Sequence, residues 1–197
     1  MPTLRLQGFH CERDGRLLFS GLDLTLGRGD CLELRGPNGS GKSTLLRALA
    51  GLYPDYGGTI EAADSLYLGH RAGISGLLSA RENLAWYGAL RPGGIGVDEA
   101  LARLGMAGYE RVACQQLSAG QQRRVALARL LVCPAPLWLL DEPLTALDER
   151  GRQLIEGLMD AHRQGGGTVV CATHQPLGLA GTRMLTLDGL GGRSLSP

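Results

Sequence analysis

The stretch that decides the fold is residues 36–44, which read Gly36-Pro37-Asn38-Gly39-Ser40-Gly41-Lys42-Ser43-Thr44. The three glycines allow the backbone to bend so that successive N–H groups point into one concave site. In a loop of this composition, Lys42 can reach the β- and γ-phosphates of a nucleotide, and Ser43 can offer its hydroxyl to Mg²⁺. The stretch therefore predicts a phosphate-binding loop in which all nine residues contribute to nucleotide binding, and Lys42 also to catalysis.

The residues on either side supply the context that such a loop requires. Cys31–Leu34 reads as a short strand before it, and Ser43–Ala50 carries leucines at helical spacing, with Gly51 as a C-cap. A helix that begins at the loop adds the positive end of its dipole to the phosphate site. A glycine-rich surface turn is the alternative, and the strand before the loop and the helix after it argue against it.

Composition sets the class of protein. Hydrophobic residues make up 44% of the 197 residues and charged residues 20%, the balance of a soluble globular domain. The net charge of +1 gives no general attraction to nucleic acid, and we expect no nucleic-acid partner. No segment has the apolar length of a membrane span or a signal-peptide core. The five cysteines are scattered without a C-x-x-C pair, so we expect most of them to be small buried side chains in a reducing cytosol.

The first half of the chain contains a strand-like segment and, further on, a helical segment. Residues 3–34 alternate apolar and polar residues with turn signals at Asp14-Gly15 and at 27–30, which predicts strands joined by hairpins. Within 71–116, Ser79 and Glu82 form a capping-box pattern that begins a helix, and Asp98 begins another. We predict one domain over residues 1–197, with a small helical subdomain inserted at about 71–116.

The second half alternates helices and strands. The pattern predicts a helix over Ala119–Val132, a buried strand over Leu137–Leu140, a helix from about Glu149, a buried strand over Thr168–Ala172 and an edge strand over Met184–Leu187. Such alternation favours a parallel sheet with helices on both faces. The predicted fold class is α/β, a P-loop NTPase with a mostly parallel sheet, an N-terminal antiparallel β part and a helical insertion.

An acidic pair, Asp141-Glu142, directly follows the strand Leu137–Leu140. Ligands of open α/β sheets bind at the carboxyl ends of the strands, beside the phosphate loop. We therefore expect Asp141 to hold Mg²⁺ through water, and Glu142 to orient or deprotonate an attacking water molecule. A solvated acidic turn before Pro143 is the alternative, which the phosphate loop makes unattractive.

Three further motifs resemble those of ABC-type ATPases. Residues 117–122, L-S-A-G-Q-Q, are similar to the L-S-G-G-Q signature, with alanine at the first glycine position; residues 144–148, L-T-A-L-D, resemble the D-loop. His174, in A-T-H-Q, matches the histidine that in this family contacts the γ-phosphate and the catalytic carboxylate. Locally, Ser118 also suits an ordinary helix cap, which is compatible with anion binding at the same helix terminus.

The resemblance implies a nucleotide-binding subunit that forms a head-to-tail homodimer. Two ATP molecules with Mg²⁺ would be sandwiched, each held by Lys42 of one subunit and by the signature residues of the other. Hydrolysis would be coupled to opening of the dimer, which moves attached membrane subunits. The residues that the resemblance assigns to nucleotide binding in this way are Ser118, Ala119, Gly120, Gln121 and Asp148.

Two positions depart from the family pattern. His70 follows the predicted strand Ser65–Leu68 where most relatives carry glutamine; either it bonds a Mg²⁺-bound water or the nucleophile, with a charge that depends on pH, or it only fills the loop. Arg13 lies where most relatives stack an aromatic residue on adenine. Its guanidinium plane can stack on the base, or Arg13 is a solvated hairpin residue.

More specific stretches, among them Tyr67–His70, Leu117–Leu131 and Ala172–Leu177, resemble the ATP-binding subunits of the bacterial cytochrome c maturation system, also called the haem exporter. This resemblance implies a peripheral subunit on the cytoplasmic face of the inner membrane, bound to CcmB, with CcmC and CcmE nearby. ATP hydrolysis would drive haem export or release of the haem-loaded chaperone CcmE. No histidine here reads as a haem ligand.

The helical insertion is the expected docking surface for a membrane subunit. We expect the loop Ala72–Leu78 to dock, and Trp86 to pack against the core. The alternatives are an ABC subunit for another substrate, a scaffold that binds ATP without hydrolysing it, and a soluble ABC ATPase that acts without a transporter. The intact Glu142 and His174 argue against the scaffold, and the neutral charge argues against a nucleic-acid function.

Overall fold

Two β-sheets of different construction form the fold, which a computed structural model describes for residues 2–13, 15–187 and 193–196. The smaller sheet is antiparallel, with strand order β2-β1-β4. Its strands are β1 (Leu4–Arg13), β2 (Arg16–Leu26) and β4 (Tyr56–Ala62). This is the antiparallel β part that the N-terminal alternation predicts. Asp14, one of the two residues of the predicted turn signal Asp14-Gly15, lies outside the described residues.

The larger sheet positions the functional loops. Among the described residues it has the order β5-β6-β7-β3-β8-β9, with neighbours parallel except for the pair β8 and β9. Its strands are β3 (Cys31–Arg35), β5 (Ser65–Leu68), β6 (Leu137–Asp141), β7 (Thr168–Ala172), β8 (Thr182–Leu187) and β9 (Arg193–Ser196). Because β3, β5, β6 and β7 are parallel, the loops that follow them meet at one edge of the sheet.

The helices begin close to where their capping residues predict. They are α1 (Lys42–Leu49), α2 (Ala80–Leu90), α3 (Val97–Arg103), α4 (Ala119–Val132) and α5 (Glu149–Gln164), with a short 3₁₀ helix at Cys114–Gln116. Ser79 and Glu82 form the predicted capping box at the start of α2. Helix α3 begins one residue before the predicted Asp98, with Gly96 as its N-cap.

The large sheet separates two hydrophobic cores. Successive residues of β6 alternate between them: Leu137 and Leu139 pack on the side of α1 and the antiparallel sheet, whereas Trp138 and Leu140 pack on the side of α2–α5. A parallel strand covered on both faces is buried along its whole length, which is why its sequence is a continuous apolar run. The expectation of cover on both faces is confirmed.

Two expectations about connectivity are wrong. The turn at 27–30 is not a hairpin, because β3 pairs with β7 and β8 rather than with β2, so the chain crosses from one sheet to the other there. The strand predicted at Met184–Leu187 is not at the edge, since β8 lies between β3 and β9. The polar, serine-containing sequence of β9 gives little indication of a strand.

Trp86 does not pack against the core as expected: its side chain is 59% exposed. The buried residues of α2 include Asn83 and Leu84, and the residue one turn further on that face is Tyr87. Tyr87 is the packing residue, and its hydroxyl donates a hydrogen bond of 2.6 Å to the Gly73 carbonyl. Trp86 is rotated away from that face towards solvent.

The expectation that most of the cysteines are buried agrees with the structure. All five cysteines are buried and unbridged. Across the described ranges, none of the helices combines the length and the apolar character that crossing a bilayer requires.

Candidate functional site

A cavity of about 430 Å³ opens at the carboxyl ends of β3, β5, β6 and β7. It brings together most of the predicted site residues, which come from loops far apart in the sequence. The residues that line it are Arg13, Leu18, Asn38, Gly39, Ser40, Gly41, Lys42, Ser43, Thr44, His70, Asp141, Glu142, Thr145 and His174. Of these, Leu18 and Thr145 are additions to the predicted set; Thr145 lies inside the D-loop motif and could have been found there.

The phosphate loop has the backbone conformation that its glycines predict. Gly36, Gly39 and Gly41 have φ angles of 143°, 80° and 101°, a region that favours glycine. Lys42 folds back so that its Nζ donates hydrogen bonds to the carbonyls of Gly36 (2.6 Å) and Pro37 (3.1 Å). Gly36 and Pro37 therefore hold the lysine rather than line the cavity.

Burial and two nearby carboxylates have opposite effects on the pKa of Lys42. Burial lowers its pKa, while Glu142 and Asp141 act in the opposite direction. A partly desolvated cation at the N-terminus of α1 is suited to an anion with several charges, and a nucleoside triphosphate has that charge.

The acidic pair stands at the end of β6. Asp141 is buried and its Oδ2 has no hydrogen-bond partner; the Oε1 of Glu142 is likewise buried without one. Buried carboxylate oxygens are normally satisfied, so two unsatisfied ones in the wall of one cavity fit a site for a hydrated cation and a reacting water molecule. Within the described residues, no cluster of three or more His, Cys, Asp and Glu could hold a metal alone.

Glu142 has an unusual backbone. Its φ is 50°, which non-glycine residues seldom adopt, and its N–H donates to the Ala172 carbonyl at 2.8 Å. This turn places the side chain in the cavity wall, next to the loop that follows β7. Strain of this kind persists where the surroundings over-determine the conformation, and it is commonest at functional sites.

His174 faces the glutamate. Its Nε2 lies 3.4 Å from the Oε1 of Glu142, slightly beyond an ordinary hydrogen bond. The loop that carries it is fixed by Thr173, whose hydroxyl accepts from the Gln175 N–H at 3.1 Å, and by Glu33, which accepts from the Leu177 N–H at 3.4 Å. His174 is therefore a neighbour of Glu142 in the cavity wall, and their contact in the reaction stays a prediction.

His70 and Arg13, the two departures from the family pattern, both line the cavity. His70 is exposed near the start of the loop that follows β5. Arg13 is at the end of β1, next to the turn into β2. Both positions are compatible with contact to a bound nucleotide.

The signature residues do not line this cavity. The Ser118 hydroxyl accepts from the Gln121 N–H at 3.2 Å, and the Gln121 Oε1 accepts from the Ser118 N–H at 2.9 Å, so the two residues form a capping box at the start of α4. Ser118 and Ala119 are exposed. Gly120 packs closely on the D-loop, where an added Cβ would lie 2.8 Å from the Ala146 carbonyl oxygen.

Asp148 also lies outside the cavity lining. It caps α5 by accepting from the Gly151 N–H at 2.9 Å, and it pairs with Arg124 of α4 at 2.7 Å. The Gly151 hydrogen bond, followed by the Arg124 interactions, lowers the pKa of the Asp148 carboxyl. The side chain therefore joins the D-loop to the signature helix.

Comparison with known proteins agrees with this geometry. Residues 19–145 match the ABC transporter family. Three similar proteins bear the name cytochrome c biogenesis ATP-binding export protein CcmA. That of Pseudomonas putida is 51% identical (89% of this chain, 91% of the relative), that of Saccharophagus degradans 42% (93% and 92%), and a protein named CcmA 2 of Salmonella paratyphi A 48% (94% and 97%).

Solved structures show the same fold. A transporter described as being of the metal-chelate ABC type, in an inward-facing conformation, matches with a TM-score of 0.83 at 25% identity over 100% of this chain and 83% of that one. A dimeric ATP-binding cassette described in a post-hydrolysis state with ADP and Pi matches with a TM-score of 0.82 at 23% identity, covering 98% of each chain. With a phosphate loop, an acidic pair and a facing histidine in one cavity, the chain belongs to the ABC transporter ATP-binding proteins and, within them, to the CcmA family of ATPase subunits.

Proposed function

We propose that the chain hydrolyses ATP in this cavity as the ATPase subunit of a cytochrome c maturation complex, and that hydrolysis drives haem export or release of the haem-loaded chaperone CcmE. The observation that carries the chemistry is the 3.4 Å separation between the Glu142 carboxylate and the His174 ring, in the same cavity wall as Lys42 and its glycine loop. The names of the similar proteins support the biological role.

The phosphate loop and Lys42 bind the triphosphate. Backbone N–H groups of the loop residues that line the cavity, 38–44, would surround the phosphates, and the ammonium of Lys42 would exchange its two carbonyl partners for phosphate oxygens. Ser43 and Asp141 would hold Mg²⁺, Asp141 through water. When bound there, the metal would supply charge neutralisation for the phosphates.

Glu142 orients the attacking water and accepts its proton, and His174 stabilises the charge of the γ-phosphate and holds the glutamate in place. His70 lies at the cavity edge, where a ring nitrogen can bond the same water; the alternative is that it only shapes the loop. Arg13 would stack its guanidinium plane on the adenine, in place of the usual aromatic residue; the alternative is a hairpin residue that makes no contact with the base.

A second copy of the chain completes the site. Ser118, Ala119, Gly120 and Gln121 do not line the cavity of their own subunit, yet Ser118 and Ala119 are exposed at a helix N-terminus, which suits an anion. In the head-to-tail homodimer they would hold the γ-phosphate of ATP bound to the partner. Asp148, tied to Arg124, would keep the D-loop at this interface.

The helical insertion, proposed at residues 71–116, would dock on the membrane subunit CcmB. Leu77 and Trp86 are largely exposed, and Leu78 and Trp86 line a cavity of about 230 Å³. Large apolar side chains exposed together are typical of an interaction site. The subunit would then lie on the cytoplasmic face of the inner membrane, with CcmC and CcmE in the wider complex and no nucleic acid involved.

The experiment is affinity purification of tagged Glu142→Gln protein from native membranes in the presence of ATP, followed by identification of the co-purifying chains and a haem absorption spectrum. We expect CcmB, with CcmC and CcmE, and haem bound to a partner. Recovery of an unrelated permease would contradict the role in cytochrome c maturation and favour an ABC ATPase for another substrate. Recovery of soluble complexes alone would favour a function outside transport.

A further inference from the structure

Arg123 of α4 places a buried guanidinium beneath the acidic pair. Its side chain is only 5% exposed, one helical turn after Gly120. Arginine has five N–H donors, and each one here has a backbone carbonyl as its partner. The acceptors are Pro143 (from Nε, 3.1 Å), Gly69 and His70 (from Nη1, 3.1 and 3.4 Å), and Asp141 and Glu142 (from Nη2, 3.0 and 2.7 Å).

The charge of this group is costly to bury. Burial is the main cause that lowers the pKa of Arg123, and the charge of the neighbouring Arg129 lowers it further. The carboxylates of Asp141 and Glu142 act in the opposite direction. A desolvated charge is tolerated only where hydrogen bonds or opposite charges compensate for the lost water. Here the carbonyl dipoles provide much of that compensation, so the loop carbonyls and the guanidinium fix one another.

The carbonyls belong to two segments that flank the cavity. Three of them form the turn from Asp141 to Pro143, which includes Glu142 with its φ of 50°. A backbone in this conformation is strained for a residue with a side chain and persists only where its surroundings hold it. The Nη2 group of Arg123 holds the carbonyls of Asp141 and Glu142, and the Ala172 carbonyl holds the Glu142 N–H.

We propose that Arg123 is a positioning residue for ATP hydrolysis. It keeps Glu142 in its left-handed conformation, and it ties that turn to the loop carrying His70, so that the two sides of the cavity keep a constant separation. This inference rests on the proposed role of Glu142 as the group that activates water. Because Arg123 does not line the cavity, it acts on the rate of hydrolysis through Glu142 and leaves nucleotide binding to residues 36–44.

The position of Arg123 also links the two halves of the composite site. It lies on α4, whose first turn carries Ser118 and Gly120. Any shift of that helix on engaging the nucleotide of a second subunit is transmitted through the guanidinium to the Glu142 turn of the same subunit. The two sites of a dimer would thereby be coupled.

The first test compares Arg123→Lys with Arg129→Lys in complexes purified from native membranes. Arg129 is a matched control: it lies on the same helix, is 7% exposed, and donates to the carbonyls of Ala126 and Ala72, outside the Glu142 turn. Lysine keeps the charge, but a single ammonium cannot reproduce the five-donor fork. We expect Arg123→Lys to lower kcat for ATP by about tenfold to a hundredfold, with Kd for a fluorescent ATP analogue changed by less than about threefold.

We expect Arg129→Lys to lower Tm by about as much as Arg123→Lys does, because both arginines are buried and hydrogen-bonded. The kcat of Arg129→Lys should stay within about threefold of that of the unaltered protein. Equal losses of kcat in the two variants would mean that Arg123 is only structural, and an unchanged kcat in Arg123→Lys would overturn the inference directly. If the lysine variant does not fold, Arg123→Gln replaces it under the same criteria, since glutamine removes the buried charge and retains two donors.

The second test asks whether Arg123 acts through Glu142. Single-turnover hydrolysis is measured for Glu142→Gln with and without Arg123→Lys. If the arginine works by positioning the glutamate, the second substitution slows the reaction by less than about threefold once the carboxylate is gone. If Arg123→Lys slows the Glu142→Gln variant as much as it slows the unaltered protein, the two residues act independently and the inference is contradicted. Full turnover by Glu142→Gln alone would instead refute the proposed role of Glu142, which keeps the two failures distinguishable.

Discussion

Replacing Gly36 by alanine tests the geometry of the phosphate loop. A Cβ at this position would lie 2.0 Å from the backbone carbonyl oxygen of Leu187 and 2.7 Å from the Ser40 hydroxyl. The first contact is with the neighbouring strand of the large sheet, so a side-chain rotation cannot relieve it. The φ of 143° is in addition almost restricted to glycine.

The expected cost follows from these two features. Backbone strain contributes about 1–3 kcal/mol and overlap with a packed backbone a further 1–3 kcal/mol, so Gly36→Ala should lose about 2–6 kcal/mol of unfolding free energy. Gly39→Ala is the matched control, because Gly39 has a positive φ of 80° but no atom within 4 Å of its added Cβ. Its loss should be about 1–2 kcal/mol.

The assay is denaturant unfolding of each variant without nucleotide, together with titration of a fluorescent ATP analogue. Gly36→Ala should lose both stability and affinity for the analogue, and Gly39→Ala should lose less stability. If the two variants unfold at the same denaturant concentration with equal m-values, the contact with the Leu187 carbonyl contributes nothing and the reasoning is refuted.

Three further outcomes follow from the structure. Gly120→Ala sets a Cβ 2.8 Å from the Ala146 carbonyl oxygen, so it should lose about 1–3 kcal/mol in denaturant unfolding and slow ATP turnover. Burial lowers the pKa of His162, so at mildly acidic pH the unfolded chain binds a proton at this histidine that the folded protein does not bind. Tm should therefore fall as the pH drops below about 6.5, the ordinary pKa of histidine. His162→Gln should flatten this part of the Tm–pH profile. Leu84→Ala should lose about 2–5 kcal/mol in urea unfolding because Leu84 is fully buried, whereas Leu90→Ala, at a side chain 66% exposed, should lose less than about 0.5 kcal/mol.

The sequence predicts those parts of the fold that local signals determine. The capping box at Ser79 and the apolar run of Thr168–Ala172 specify their elements within the chain itself, and both are found where predicted. The same holds for the conformation of the phosphate loop, because the positive φ angles at its three glycines favour glycine. The order of the motifs then brings the loops to one edge of the parallel sheet.

What local signals do not determine is which partner an element finds. The sequence of β8 suggests an edge strand, but β9 pairs with it in the structure. Trp86 and Tyr87 differ in burial because Tyr87 lies on the packed face of α2 and Trp86 does not. Arg123 is the clearest case. Its five acceptors lie between 18 and 54 residues away and are backbone carbonyls, which carry no signature in the sequence.

Steady-state ATP turnover of Glu142→Gln in the purified membrane complex, with a parallel measurement of ATP affinity, tests the central claim most directly. The substitution keeps the shape of the side chain and removes the carboxylate that faces His174. Loss of the general base should lower kcat by about a hundredfold or more, while the phosphate loop still binds ATP with unchanged affinity. Turnover equal to that of the unaltered protein would contradict the assignment of Glu142, and with it the account of how this cavity hydrolyses ATP.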